Sequence, residues 1–291
     1  YKSTLTNDEL KELVKKTKEL KEYQDAPSSQ EELEKIPMLE LSDIKREPAK
    51  DYNDVKSVDG IKIVHHNIFT NKIAYINMSF DTKCVPDELI PYMGLLGSTL
   101  SLMDTKNYTY PELTNEININ CGGLATGTAL YSDKVDFSKN TIVYEVKSKA
   151  LYEKVPFVLG MMEEIMYNTR FDDYKRLKEI IARIKSRLEA SLMGQGHSIA
   201  MLECCAQFSE SAYYSDILRG YKYYEFIKKL DEEFEQNKTQ IVDKLNELVG
   251  YIFNKDNVIV SLTADDEGYD CFVKALSAKS CNIKDEHYNT A

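Results

Sequence analysis

The spacing of hydrophobic positions changes about fifty residues into the chain. Residues 1–25 are typical of a charged helix, in which Thr6 and Glu9 form a capping-box pair and the apolar stripe is thin. Residues 25–54 contain three prolines and one short helix that Ser29 is expected to cap. We therefore predict that residues 1–54 form a helical linker arm and that residues 55–291 form a separate globular domain.

Period-two alternation of apolar residues predicts five β-strands in this domain. The strands are predicted at residues 61–68, 73–80, 124–131, 140–147 and 258–262. They occur as sequential pairs with helical segments between the pairs, and the first two are separated by a turn at Thr70–Asn71. This order predicts an α+β fold, in which a mainly antiparallel sheet is covered on one face by helices.

Apolar residues spaced three and four apart predict a series of helices between these strands. They are predicted at about 86–103, 110–120, 151–165, 177–192, 197–211, 221–230, 234–253 and 266–276. The second has the clearest limits, because Pro111 suits a first helical turn and Gly122–Gly123 suits a helix end.

Charge and hydropathy exclude two classes of partner. The formal net charge is −11, whereas binding to nucleic acid requires a basic surface. We therefore expect no nucleic-acid partner. No apolar run approaches the roughly 18–20 residues of a membrane-spanning helix, so we expect no membrane partner. The chain begins with Tyr1 rather than Met, and we expect it to be a piece of a longer protein.

The sequence contains no recognisable catalytic motif of its own. His65 and His66 are adjacent on a predicted strand, so they point to opposite faces and cannot bind one metal ion together. His197 is separated from Cys204 and Cys205 by about two helical turns, roughly 10–12 Å, which is too far for a thiol–imidazole pair. Phosphate-binding glycine loops and the GxSxG elbow are absent. The six cysteines lack CxxC spacing and are interpreted as reduced thiols.

One block, residues 194–230, carries a specific resemblance to a known family. It reads GQGHSIAMLECCAQFSESAYYSDILRGYKYYEFIKKL, and it resembles a segment of the presequence protease and falcilysin branch of the pitrilysin (insulinase) zinc metallopeptidases. The matching positions, which we expect to be structural or interface residues, are Gly196, His197, Ser209, Gly220, Tyr223, Phe226 and Leu230. The flanks agree in order, with PMLELSDIKRE at 37–47, PDELIPYMGLLGSTL at 86–100 and CGGLATG at 121–127.

The resemblance implies a position within a larger enzyme. Members of this family have four similar α+β domains in two halves that close around a peptide, and the first domain carries an HxxEH zinc motif. By resemblance, this chain is the second arm of the linker hairpin plus the third, peptidase-associated domain. Its implied partners are the N-terminal catalytic half and the C-terminal domain of the same parent chain, together with peptide substrates. Zinc is expected in the parent enzyme and no cofactor in this chain.

This chain departs from the family's catalytic pattern in its first domain helix. Gly97, Leu100 and Ser101 stand roughly where His, Glu and His would fall. Glu179 and Glu189 lie on the helix that resembles the carrier of the third zinc ligand, and we expect them to face solvent without imidazole partners. The isolated chain should therefore be inactive, with no catalytic and no metal-binding residue.

The favoured interpretation is a non-catalytic chamber wall of a zinc metalloendopeptidase that degrades unstructured peptides. A zinc-less scaffold subunit of a pitrilysin-like complex, or an unrelated α+β binding module, remains an alternative. The expected location is a bacterial cytoplasm, or an organelle matrix if the source is eukaryotic.

Overall fold

The computed structural model describes residues 5–47, 53–136, 138–278, 281, 283 and 284. It divides the chain into two compact units, Tyr1–Lys50 and Asp51–Ala291. In the first unit, helix α1 (Asn7–Asp25) begins at a capping box in which the Glu9 carboxylate accepts from the Thr6 backbone N–H at 2.7 Å. A second capping box at Ser29 begins helix α2 (Gln30–Leu33). No described residue of this unit is buried.

The second unit is built on one sheet, which has six strands among the described residues. The strands are β1 (Asp54–Val58), β2 (Ile61–Asn67), β3 (Ile73–Asp81), β4 (Leu124–Ser132), β5 (Asn140–Leu151) and β6 (Val258–Ala264). Their order across the sheet is β1-β2-β6-β3-β5-β4. All pairings are antiparallel except β2 with β6, which is parallel. The mainly antiparallel sheet confirms the predicted α+β class.

The predicted pairing of the first two domain strands is wrong. Strands β2 and β3 do not contact each other as neighbours, because β6 lies between them and hydrogen-bonds to both. The connecting residues 68–72 can span two strand spacings of about 4.8 Å each, since five extended residues reach roughly 16–18 Å. Asn71 and Lys72 adopt positive φ values of 51° and 64° in this connection. A short connection therefore does not establish that two strands are neighbours.

Helices cover one face of this sheet. The residues of β3 that point to that face, Ala74, Ile76, Met78 and Phe80, are at most 2% exposed. The alternate residue Tyr75 is 44% exposed, so the opposite face is open among the described residues. This difference follows from the two-residue repeat of a strand.

The helices of the second unit mostly follow the predicted periodicities. They are α3 (Ile90–Thr99), α4 (Tyr110–Asn120), α5 (Val155–Asn168), α6 (Tyr174–Gly194), α7 (Gly196–Cys205), α8 (Glu210–Arg219), α9 (Tyr221–Glu232), α10 (Phe234–Ile252) and α11 (Asp266–Ser277). The single helix predicted over 197–211 is wrong at its C-terminal end. Helix α7 stops at Cys205 because Ser209 caps a new helix, its hydroxyl accepting from the Ala212 N–H at 3.4 Å. Within the described residues, no helix has both the length and the apolar character needed to cross a bilayer.

Candidate functional site

Helix α3 lies where the sequence resemblance would place a metal motif, and it packs closely on strand β4. A Cβ atom added to Gly97 would lie only 3.1 Å from the Cα atom of Gly127 on the strand. The Thr126 hydroxyl donates to the Gly97 carbonyl at 3.1 Å. Leu100 is fully buried and Ser101 is half-buried. The small residue at position 97 therefore allows the helix backbone to approach the strand, and none of these side chains offers an imidazole.

The described residues near α3 do not form a zinc site. No group of three His, Cys, Asp or Glu side chains comes together anywhere in the described part of the chain. Glu179 on α6 is exposed and pairs with Arg176 at 3.3 Å. Glu189 differs from our expectation of a solvent-facing residue, because it is half-buried and its carboxylate accepts from the Tyr224 hydroxyl at 3.3 Å. The donor set at this position does not fit the metal of the resembling catalytic domains.

His65 and His66 lie on opposite faces of β2, as their adjacency requires. His65 is buried on the helix-covered face, and its Nε2 lies 2.9 Å from the Ala264 carbonyl oxygen. Its ring packs against Tyr269 at a centroid distance of 4.7 Å. His66 Nε2 lies 3.1 Å from the Ser261 hydroxyl. Both imidazoles thus tie β2 to neighbouring elements and do not converge on one point.

The residues of the 194–230 block fall into an exposed group and a packed group. Gly196 and His197 begin helix α7 and are exposed. Cys204 on the same helix is exposed and Cys205 is half-buried. All six cysteine thiols are free, and only Cys281 is buried. The exposed start of α7 makes no packing contribution that would explain its sequence, so an interface role for Gly196 and His197 stays a prediction.

The packed group holds α8 and α9 against α3. Gly220 between α8 and α9 has no room for a side chain, since an added Cβ would collide with Asp216 and would lie 3.0 Å from a methyl carbon of Leu202. Phe226 meets the ring of Tyr92 on α3 edge-on at 4.8 Å. Leu230 is 6% exposed and belongs to the core. Ser209, as described above, is the N-cap of α8.

Tyr223 is the member of the packed group that connects to a cavity. Its ring is 4% exposed and lies against Gly94, where an added Cβ would be 2.8 Å from Cε2. Burial raises the pKa of its hydroxyl well above the usual value, and the Arg187 guanidinium offsets only part of this rise. The hydroxyl oxygen is buried and has no hydrogen-bond partner among the described residues. At neutral pH it is therefore a protonated, unused donor.

The cavity beside Tyr223 has a volume of about 520 Å³ and is lined by α3, β4, α6 and the α8–α9 junction. Three arginines line it: Arg183 and Arg187 from α6, and Arg219 from the end of α8. None of them forms an ion pair with a described residue, and Arg219 donates only to the Ser215 hydroxyl at 3.3 Å. Sequence reasoning did not find this cavity, because its walls come from segments more than eighty residues apart.

Two buried carboxylate clusters also escaped sequence reasoning. Glu164 on α5 is 6% exposed and accepts from the Thr105 hydroxyl at 2.5 Å, the Asn107 N–H at 2.9 Å and the Asn168 amide at 2.7 Å. Burial alone would raise the pKa of Glu164, but these hydrogen bonds outweigh it and hold the pKa below its usual value. Glu164 therefore fixes the loop that leads into α4.

The second cluster joins α7 to α8 through two carboxyl groups. Asp216 is fully buried, and its Oδ2 lies 3.5 Å from the Lys222 ammonium. Oδ2 of Asp216 and Oε2 of Glu203 have no other hydrogen-bond partner among the described residues. The hydrogen bond to Asp216 raises the pKa of Glu203, and burial raises it further. The pair is thus most stable when one proton is shared between the two groups.

An α+β domain with this sheet, whose first helix carries small and apolar residues in place of metal ligands, is the non-catalytic form of a pitrilysin-type domain. Solved structures agree with this class. The peptidase M16 inactive domain from Pseudomonas fluorescens superposes with a TM-score of 0.52 at 14% identity, covering 81% of this chain and 52% of that chain. At this identity the likeness concerns the fold alone.

Comparison with protein families makes the assignment specific. The model of the family described as the associated domain of peptidase family M16, subfamily C, matches residues 1–230, and the chain belongs to this family. The protein HypA of Clostridium perfringens is 36% identical over 99% of this chain and 30% of its own length. Presequence protease 1 of Arabidopsis thaliana, a chloroplastic/mitochondrial protein, is 29% identical over 91% of this chain and 24% of its own length. The chain therefore spans less than a third of these relatives.

Proposed function

We propose that this chain is a non-catalytic wall of the peptide chamber in a longer zinc metalloendopeptidase that degrades unstructured peptides. The observation that carries the proposal is the match to a peptidase-associated family, combined with an α3 helix that has no metal ligands at positions 97, 100 and 101. Such a wall excludes bulk water and folded proteins from the reaction space. The hydrolytic zinc belongs to another part of the parent chain.

The first unit supports a role in joining this wall to the rest of the parent. Met38, Leu39 and Leu41 are 83%, 90% and 88% exposed, although exposed apolar side chains in a continuous run are costly in water. We propose that residues 1–54 act as a linker arm whose apolar residues pack on other segments of the parent, and that residues 55–291 form the wall. The N-terminal catalytic half and the C-terminal domain are the proposed partners. A bacterial cytoplasm or an organelle matrix is the proposed location.

The proposal is tested by comparing three samples in a fluorogenic peptide assay. They are the full-length parent, this chain alone, and this chain mixed with the missing parts of the parent. We expect chelator-sensitive cleavage by the parent and by the mixture, and none by this chain. The matched control is a parent in which the Glu of its HxxEH motif is replaced by Gln, which should abolish cleavage without altering the fold. Chelator-sensitive cleavage by this chain alone would contradict the proposal.

A parent without an HxxEH motif would also contradict it, and would favour the scaffold-subunit alternative.

A further inference from the structure

We propose that the cavity between α3, β4, α6 and α9 is a binding site for a small ligand that bears a carboxylate or phosphate group. The inference goes beyond the proposed chamber role and does not depend on it, because every residue that it uses belongs to this chain. The volume of about 520 Å³ lies within the usual range of about 300–1,000 Å³ for small-molecule sites.

The charge of the cavity is the first argument for an anionic ligand. Arg183 and Arg187 are one helical turn apart on α6 and therefore project from the same face, while Arg219 enters from the end of α8. In a chain of net charge −11, three guanidinium groups without a carboxylate partner among the described residues make a local region of positive charge. The planar fork of arginine matches carboxylate and phosphate oxygens in pairs.

The unused donors of the cavity are the second argument. The Tyr223 hydroxyl is buried without a hydrogen-bond partner, although leaving a buried polar group unpaired costs about 1–3 kcal/mol. The hydroxyls of Ser101 and Thr128 also line the cavity, and no described residue pairs with them. An oxyanion accepts several hydrogen bonds at once, so one ligand would satisfy the phenol and the serine and threonine hydroxyls together with the guanidinium groups.

The small residues of α3 provide the space for this ligand. Gly94 and Gly97 line the cavity on the helix side, and Gly127 lines it on the strand side. Larger side chains at these positions would fill the volume, as the 2.8 Å and 3.1 Å approaches to Gly94 and Gly97 show. The position where a catalytic domain of the resembling family would hold a cation thus carries the charge pattern of an anion site in this chain.

The test measures binding of inorganic phosphate and of succinate to the whole chain by calorimetry at low ionic strength, with chloride at equal ionic strength as the reference. Stabilisation by phosphate alone would identify a phosphate-type ligand, and stabilisation by succinate alone would identify a carboxylate-type ligand. Either result supports the site. No binding of either anion would overturn it.

Three variants locate the binding. R183Q/R187Q should weaken it by at least about tenfold, since hydrogen bonds to charged groups contribute about 1.5–3 kcal/mol each. K175Q is the matched control, because it removes one positive charge from an exposed position of the same helix outside the cavity and should leave binding unchanged. Y223F should weaken binding about tenfold while leaving the unliganded protein equally or more stable, since it deletes an unpaired buried hydroxyl.

The variants also define failure. Binding that survives R183Q/R187Q or Y223F unchanged, or that K175Q weakens as much as R183Q/R187Q does, would overturn the site. The two arginines are exposed, so their replacement should not unfold the protein, and circular dichroism checks this.

Discussion

Replacing Gly94 with Ala tests the close packing of α3 on Tyr223, on which the cavity depends. The added methyl carbon would lie 2.8 Å and 2.9 Å from ring carbons Cε2 and Cζ of Tyr223, and 3.0 Å from the Leu218 carbonyl oxygen. All three distances are well inside ordinary van der Waals contact. The carbonyl belongs to the backbone of α8 and the ring is buried, so neither can move as the end of a flexible side chain would.

The magnitude follows from two opposing effects. Overpacking of a close contact costs about 1–3 kcal/mol. Replacing a helical Gly with Ala recovers about 0.8–1 kcal/mol of helix propensity. Gly194→Ala measures the second effect alone, because nothing lies within 4 Å of an added Cβ at that helical position. We therefore expect Gly94→Ala to be less stable than Gly194→Ala by about 1–3 kcal/mol.

The assay is urea unfolding of the two variants and the wild type, followed by circular dichroism, with thermal unfolding as a second measurement. In a domain of this size, 1 kcal/mol corresponds to about 2–4 °C in Tm. Gly94→Ala should also weaken oxyanion binding, because the Tyr223 ring must shift to admit the methyl group. If the two variants have equal stability, the packing of α3 on α9 is looser than described and the reasoning is refuted.

Two further predictions concern the buried carboxylates. Glu164→Gln should cost about 2–4 kcal/mol in urea unfolding at pH 7, because an amide NH₂ would face the donors that Glu164 now satisfies, and the wild type should lose this stability as the pH falls through the lowered folded pKa of Glu164; a variant as stable as wild type would contradict the hydrogen-bond network. Glu203 has a raised folded pKa, so its contribution to stability is present below its usual value of 4.5 and is lost as the pH rises through the folded pKa. Glu203→Gln keeps a donor for Asp216 without titrating, and should be more stable than wild type at pH 7 with a flatter pH dependence, whereas Glu88→Gln at an exposed position should match wild type; equal pH profiles for all three proteins would refute the shared proton.

Local signals in the sequence located most elements of the fold. Helix α4 occupies the predicted residues 110–120, because Pro111 at its start and the glycines after its end act through the chain's own backbone. The capping pair of Thr6 and Glu9 is confirmed for the same reason. Strand β5 runs four residues beyond its predicted end at Lys147, since Ser148 is buried by a hydrogen bond to the Gly123 carbonyl at 2.8 Å rather than by an apolar side chain.

The candidate site could not be predicted in the same way. Tyr223 belongs to the 194–230 block, but its unpaired hydroxyl becomes apparent only when α9 is placed against Gly94. The arginines of α6 have the spacing of an ordinary solvent-exposed helix face. Their meaning depends on the crossing of α6 with α3 and β4, which local periodicity does not determine.

The position of β6 in the middle of the sheet has a consequence for biosynthesis. Residues 258–264 separate and join two strands that emerge from the ribosome nearly two hundred residues earlier. Until then, the facing edges of β2 and β3 carry unpaired backbone groups, which are sites for wrong pairing with other chains. A fragment cut at residue 230, where the family match stops, would keep those edges open permanently. Expression boundaries for this domain should therefore be placed after β6.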